Sequence, residues 1–193
     1  MAKEGKNGVT TDTPKKVLFG AGTIHKNLKY AGSSWNFEES IVGATSGGSK
    51  LEIIPEITEL EIDGVLVPVK GLTHRKTGEA ATMEVNFIEL TDDVMKAALI
   101  AQAGTSEDTN YTVLESKASI EAGDYWDNIA FVGKDLNDDN IIAILPNALC
   151  TSGLSLEGKN KEASKPAVKF VCTADTSGDL DKLPWKIYRP TAE

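Results

Sequence analysis

Cysteine, histidine and aromatic residues are all scarce in this chain of 193 residues. It has two Cys, two His and 6% aromatic residues. Two cysteines cannot build a disulfide framework, and Cys150 and Cys172 both lie in apolar text (LPNALC and VKFVC), so they read as small buried hydrophobes. His25 and His74 stand in separate segments without metal-ligand spacing to Cys, Asp or Glu, so no metal or other cofactor is expected. Few aromatics argue against a platform for stacking bases. A basic excess is missing too: the formal net charge is −9. Nucleic-acid binders neutralise phosphates with Lys and Arg, so tight DNA or RNA binding is not expected, although a surface that DNA passes without sticking is compatible with this charge. The opening stretch MAKEGKNGVTTDTPKK has no apolar run of signal-peptide type. No run reaches membrane-spanning length, IIAIL (141–145) being among the longest. The expectation is a soluble protein made in the cytoplasm, without a membrane partner.

Motifs of catalysis and nucleotide binding fail one by one. GATSGGSK (43–50) has the glycine spacing of a phosphate loop, but Ser49-Lys50 reverses the order that the loop requires. A phosphate loop must also open a helix, and strand-like text follows here. Gly20-Ala21-Gly22 lacks the third glycine of a dinucleotide turn, that position being His25. Asp135, Asn137 and Asp139 alternate like the start of a calcium loop. Asn140 replaces the required Gly, however, and Pro146 replaces the closing Glu. No G-x-S-x-G elbow occurs. The expectation is a protein that is not an enzyme.

What is present is strand periodicity. Residues 1–16 are polar and read as a flexible N-terminal arm, leaving 17–190 as a single domain. VLFGAG begins a strand. LEIIPEITELEIDG alternates in period two and changes phase near Thr58 and Glu59, which predicts a long strand with a bulge there. Asp63-Gly64 signals a hairpin turn, with VLVPVKG returning as the partner strand. EATMEVNFIEL puts Met83, Val85 and Phe87 on a buried face and Thr82, Glu84 and Asn86 on the other. TDDVMKAALIAQAG predicts one helix over about 91–103, with Thr91 as N-cap and Gly104 as the stop. A strand is expected around Tyr111–Leu114. YWDNIAFVG and NIIAILPNAL flank KDLNDD as a second hairpin, and AVKFVCTAD points Val168, Phe170 and Cys172 inward. Strands, one helix, then more strands predict a mainly β fold, a β-sandwich or barrel-like domain with one flanking α-helix. VKGLTHRK is the one basic island, carrying Lys70, His74, Arg75 and Lys76. It reads either as an exposed loop or as a contact for an acidic surface on a neighbouring copy.

Taken in order, GATSGGSKLEIIPEITELEIDG, VPVKGL, MEVNFIELTDDVMKAAL, ILPNALCTSGLSLEGKNKEASKPAVKFVCTAD and LPWKIY resemble the tail tube, or major tail, proteins of bacteriophages and phage-tail-like particles. The resemblance runs from about Val17 to Tyr188. It implies a sandwich or barrel fold whose subunits form six-membered rings, stacked into a hollow tube in the virion tail and assembled in the host cytoplasm. The implied partners are further copies of the chain, a tape measure protein, tail terminator and initiator or baseplate proteins, and in some tails a sheath. DNA would cross an acidic lumen, whose wall repels its phosphates or at least does not bind them, without specific binding. Candidate lumen-lining residues are Glu52, Glu56, Glu59, Glu61, Thr82, Glu84 and Asn86. Candidate subunit contacts are Gly43, Gly47, Gly48, Lys70, His74, Arg75 and Lys76. The competing expectation is a monomeric β-sandwich binding module, carbohydrate-binding or adhesive, which would need clustered exposed aromatics. Trp35, Trp126 and Trp185 are scattered along the chain.

Overall fold

A computed structural model describes residues 8–191. In chain order the strands are β1 (Phe19–Lys26), β2 (Tyr30–Ala31), β3 (Ser34–Trp35), β4 (Thr45–Glu59), β5 (His74–Phe87), β6 (Ala101–Ala103), β7 (Leu114–Ser116), β8 (Trp126–Lys134), β9 (Asn140–Cys150), β10 (Ala167–Cys172) and β11 (Lys186–Tyr188). A one-turn helix α1 (Phe37–Ser40) precedes β4, and α2 (Asp92–Leu99) follows β5. Seven strands form one antiparallel sheet in the order β1-β8-β9-β10-β5-β4, with β11 also on β9. The edge of β9 that faces β10 is shared: β10 pairs with residues 148–150 and β11 with 142–144. The fold is mainly β, as expected.

The sheet curls round its core. Ile24 of β1 and Met83, Val85 and Phe87 of β5 lie near opposite ends of the strand order, yet they belong to one buried cluster with Val94, Ile129, Val168 and Phe170. Val42 helps to close the gap between those ends, its N–H donating to Ile24 O over 3.0 Å. The alternation read from MEVNF and AVKFVC holds: Met83, Val85, Phe87, Val168, Phe170 and Cys172 are all buried. Both cysteines are free and buried. A second, smaller cluster (Leu28, Ala130, Val132, Ile142, Ile144) is covered by Trp35 and Phe37.

The helical expectation needs correction. Thr91 does cap α2, accepting from Val94 N–H at 3.3 Å, and Val94, Ala97 and Ala98 face the core. The helix ends at Leu99, however, because Ile100 adopts a left-handed conformation (φ 49°), and Ala101–Ala103 is strand β6. Gly104 is therefore not the stop; its N–H donates to Val113 O. The strand placed around Tyr111–Leu114 lies later, at Leu114–Ser116, and pairs with β6. A second helix, α1, was not anticipated. It is short, and its Ser40 hydroxyl donates back to Asn36 O at 2.8 Å, a local bond that apolar periodicity does not report.

The β4–β5 hairpin also differs from expectation. Asp63-Gly64 does turn, with Gly64 at φ 80°. VLVPVKG does not return as a strand, though; residues 60–73 form a tip, and the partner of β4 starts at His74. Leu60 N–H closes the tip on Thr73 O at 2.6 Å. The bulge falls at Thr77 of β5 rather than at Thr58 and Glu59, since Glu56 opposes Gly78 while Ile57 opposes Lys76. A further offset lies in β4 itself, between Thr45 and Ser49. Gly47 (φ 94°) and Gly48 (φ 84°) provide it, so these two glycines kink the strand from within. Part of the proposed N-terminal arm, residues 1–7, lies outside the described residues. Of the rest, Pro14 accepts a hydrogen bond from Leu136 N–H at 3.2 Å.

Candidate assembly surface

The hairpin presents two exposed features, a polar face and an apolar tip. Directly opposed residues of an antiparallel pair project to the same side. Lys50 opposes Glu84, Glu52 opposes Thr82, and Glu84 in turn opposes Lys169 of β10. These residues therefore share one face with Ile54 and Glu56. A Cβ added at Gly78 would meet Glu56 Oε2, which places that carboxylate over the glycine. Asn86 belongs to the same series, and its Nδ2 donates to Gly48 O at 3.2 Å. Five of the candidate lumen residues (Glu52, Glu56, Thr82, Glu84, Asn86) thus come together. Glu59 does not join them. Because the bulge sits on β5, β4 keeps its period, and Glu59, three residues beyond Glu56, falls on the other phase. Glu61 lies past the strand, in the tip.

The charge of this face is mixed. Lys50 Nζ lies 2.9 Å from Glu52 Oε1. That hydrogen bond holds the Glu52 carboxyl below the ordinary glutamate range and raises Lys50 above the ordinary lysine range. Lys169 also favours the Glu52 carboxylate electrostatically. Sequence reasoning missed Lys50 and Lys169 here; in strand phase, Lys50 stands two residues before Glu52 and could have been counted.

The candidate contact residues separate into two groups. Gly43, Gly47 and Gly48 lie at the start of β4, where Ala44 N–H donates to Glu89 Oε2. Lys70, His74, Arg75 and Lys76 lie at its far end, in and just after the tip. Ile57, which opposes Lys76, lies nine positions beyond Gly48 on β4, so the two groups are about 30 Å apart at ~3.3 Å per residue. The basic group shares the tip with apolar side chains: Leu60, Leu66 and Val67, which the sequence reading assigned to strands, and Leu72 are all exposed, Leu66 by 96%. Ile54 and Ile57 extend this exposed set along β4. Lys76 is tied to Glu79 at 2.9 Å, whereas among the described residues Lys70 and Arg75 form no ion pair.

Chemistry elsewhere is sparse. His25 is buried, with Nδ1 2.8 Å from Ser40 Oγ and Nε2 2.8 Å from Thr23 Oγ1. Both hydroxyls also donate to backbone carbonyls, Ser40 to Asn36 O at 2.8 Å and Thr23 to Val132 O at 3.4 Å. Burial lowers the His25 pKa and favours the neutral ring. Among the described residues no group of three or more His, Cys, Asp or Glu is placed to hold a metal ion. Among the described residues no helix is long and apolar enough to cross a membrane. A scan against protein-family models gives no match to this chain, and a search of curated proteins gives none either.

Proposed function

We propose that this protein is a structural subunit of a bacteriophage tail tube, or of the tube of a phage-tail-like particle, that assembles into stacked hexameric rings. The observation that carries this reading is the β4–β5 hairpin with its exposed apolar tip. Large apolar side chains gathered at one exposed tip mark an interaction site on a soluble protein. The outer edge of β4 supports the same reading, because an outward edge invites pairing with another chain unless assembly covers it, whereas the β1 edge is already bridged in part by Ile41 and Val42. On this reading the face carrying Lys50, Glu52, Glu56, Thr82, Glu84 and Lys169 is the lumen wall. Its alternating charges would hold neither phosphates nor a protein occupant tightly, which suits passage of DNA and housing of a tape measure protein. Tail terminator, initiator or baseplate proteins, and a sheath where present, would meet the ends and outside of the tube. The chain would act without a cofactor and without catalysis.

Negative-stain microscopy of concentrated protein is the direct test, with tail-initiation components added in parallel. Six-fold rings or hollow tubes are expected. A chain that stays monomeric under both conditions would end this reading.

A second reading has one observation of its own. Tyr30 and Trp35 of the β2–β3 hairpin meet Tyr188 from near the end of the chain, edge to face on Trp35 with ring centroids 5.4 and 5.1 Å apart, and both tyrosines are exposed. A small aromatic patch of this kind suits an adhesive or saccharide-binding module. A glycan-binding screen with Tyr30→Ala as control separates the two readings.

A further inference from the structure

Residues 180–188 form a strap after β10, seated by contacts remote in sequence. β10 pairs with residues 148–150 of β9, and β11 takes the adjoining stretch of that edge: Lys186, Ile187 and Tyr188 oppose Ile144, Ala143 and Ile142. Leu183 and Trp185 pack against the main buried cluster. The Leu183 N–H donates to Glu79 Oε2 over 3.4 Å, and Tyr188 meets Trp35 edge to face. The strap still lies at the surface, with Leu180, Ile187 and Tyr188 exposed. Ahead of it the chain is pinned at Thr173, whose hydroxyl donates to Asn147 O at 2.8 Å. Between these two anchorages runs ADTSGD (174–179), a polar turn held by local bonds: Asp175 accepts from the N–H groups of Ser177 and Gly178, and Asp179 from that of Asp181.

We propose that this strap is exchanged between copies: on assembly, residues 180–188 of one chain occupy the β9 edge and the Glu79 site of the next. The seat fits this occupant because it already holds the same segment within a single chain. Exchange keeps the ladder on β9, the Leu183 and Trp185 packing and the bond to Glu79, and changes only the turn. Opened out, the six residues 174–179 span about 20 Å at ~3.3–3.6 Å each, twice the ~10 Å between packed sheets, so the strap can cross a subunit boundary while Thr173 stays in place. Strap and seat are different surfaces of one molecule, so the exchange can run on from copy to copy, as rings and filaments require. The inference rests on the self-assembly reading and adds the element that links one copy to the next.

Ala143 and Ile187 are directly opposed, so a cysteine at each reports which chain holds the strap. In one chain, Ala143→Cys with Ile187→Cys should close a disulfide within the oxidised monomer. That locked form is expected to stay monomeric at concentrations where wild type assembles, and reduction should restore assembly. The two single variants, mixed in equal amounts and oxidised after assembly, should give a covalent dimer on a non-reducing gel, with neither giving one alone. Ile142→Cys and Tyr188→Cys, the next opposed pair, repeat the test on the other face of the ladder. A locked form that assembles as wild type does overturns the exchange, as does an assembled mixture without the covalent dimer; either leaves the self-assembly reading standing. Failure of both pairs to close in the monomer contradicts the β9–β11 register and removes the seat on which the exchange rests. A wild type that never assembles removes both the exchange and the self-assembly reading.

Discussion

Truncating Leu66 separates folding from assembly more cleanly than any other single change. Its side chain is 96% exposed in the free chain, so Leu66→Ala removes almost no burial from the folded monomer. Surface substitutions of this kind change stability by about 0.5 kcal/mol or less. Buried in a contact with another copy, the same side chain is worth far more. Three carbons are lost, at about 0.8 kcal/mol per buried CH₂, giving roughly 2 kcal/mol per contact. With 1.4 kcal/mol per decade, that is a loss of about thirtyfold in contact affinity. The assay is a pair of measurements on the same preparations: the thermal midpoint, and the critical concentration for assembly by light scattering. The midpoint should stay within about 2 °C, since ~0.5 kcal/mol moves the melting of a domain this size by no more than that, and the critical concentration should rise about thirtyfold. An unchanged critical concentration would refute the claim that the tip is buried on assembly. A large drop in the midpoint would show that Leu66 already packs within the monomer.

Three other consequences concern the fold itself. Phe170 is fully buried in the main cluster, so Phe170→Ala should lower the free energy of unfolding by about 3–5 kcal/mol in urea titration; a loss under 1 kcal/mol would contradict the packing described. Ile100 is β-branched and left-handed at the end of α2, a conformation that costs an L-residue about 1–2 kcal/mol and glycine almost nothing. Ile100→Gly should therefore be more stable than Ile100→Ala by about 1 kcal/mol, and the reverse order would place the helix end elsewhere. Burial lowers the His25 pKa below its ordinary 6.5, so acid protonates the unfolded chain before the folded one. The contribution is nil well above pH 6.5 and becomes destabilising as pH falls below it, down to the folded-state pKa. Compared with His25→Asn, wild type should lose part of its stability advantage between pH 7.5 and 5.5. A constant difference across that range would mean that the imidazole titrates normally.

Much of this architecture was present in local patterns. Alternation in MEVNF and AVKFVC was enough to assign Met83, Val85, Phe87, Val168, Phe170 and Cys172 to the core, because a strand sends successive side chains to opposite faces. Thr91 announced the start of α2 through its own hydrogen bond, which involves only neighbours three residues away. The scarcity of His and Cys, and the broken phosphate and calcium motifs, are likewise properties of the chain as written.

Other features were settled by contacts between distant segments. The end of α2 moved from Gly104 to Ile100 because Ala101–Ala103 pairs with Leu114–Ser116, and that pairing overrides helix propensity. The phase of Glu52 and Glu56 relative to Glu59 depends on which strand carries the bulge. Only the register across β4 and β5 decides this, and it puts the extra residue at Thr77. VLVPV has the composition of a strand but ends as an exposed tip, because β5 pairs with β4 from His74 onward and leaves that run beyond the ladder. A groove beside β1, lined in part by Phe19 and Ile41, arises in the same way, from a two-residue mismatch between Phe19–Thr23 and a partner more than a hundred residues later. Strand character is a local property of side chains. Which edge stays open, and which apolar residues stay outside, depends on long-range register, which no single segment encodes.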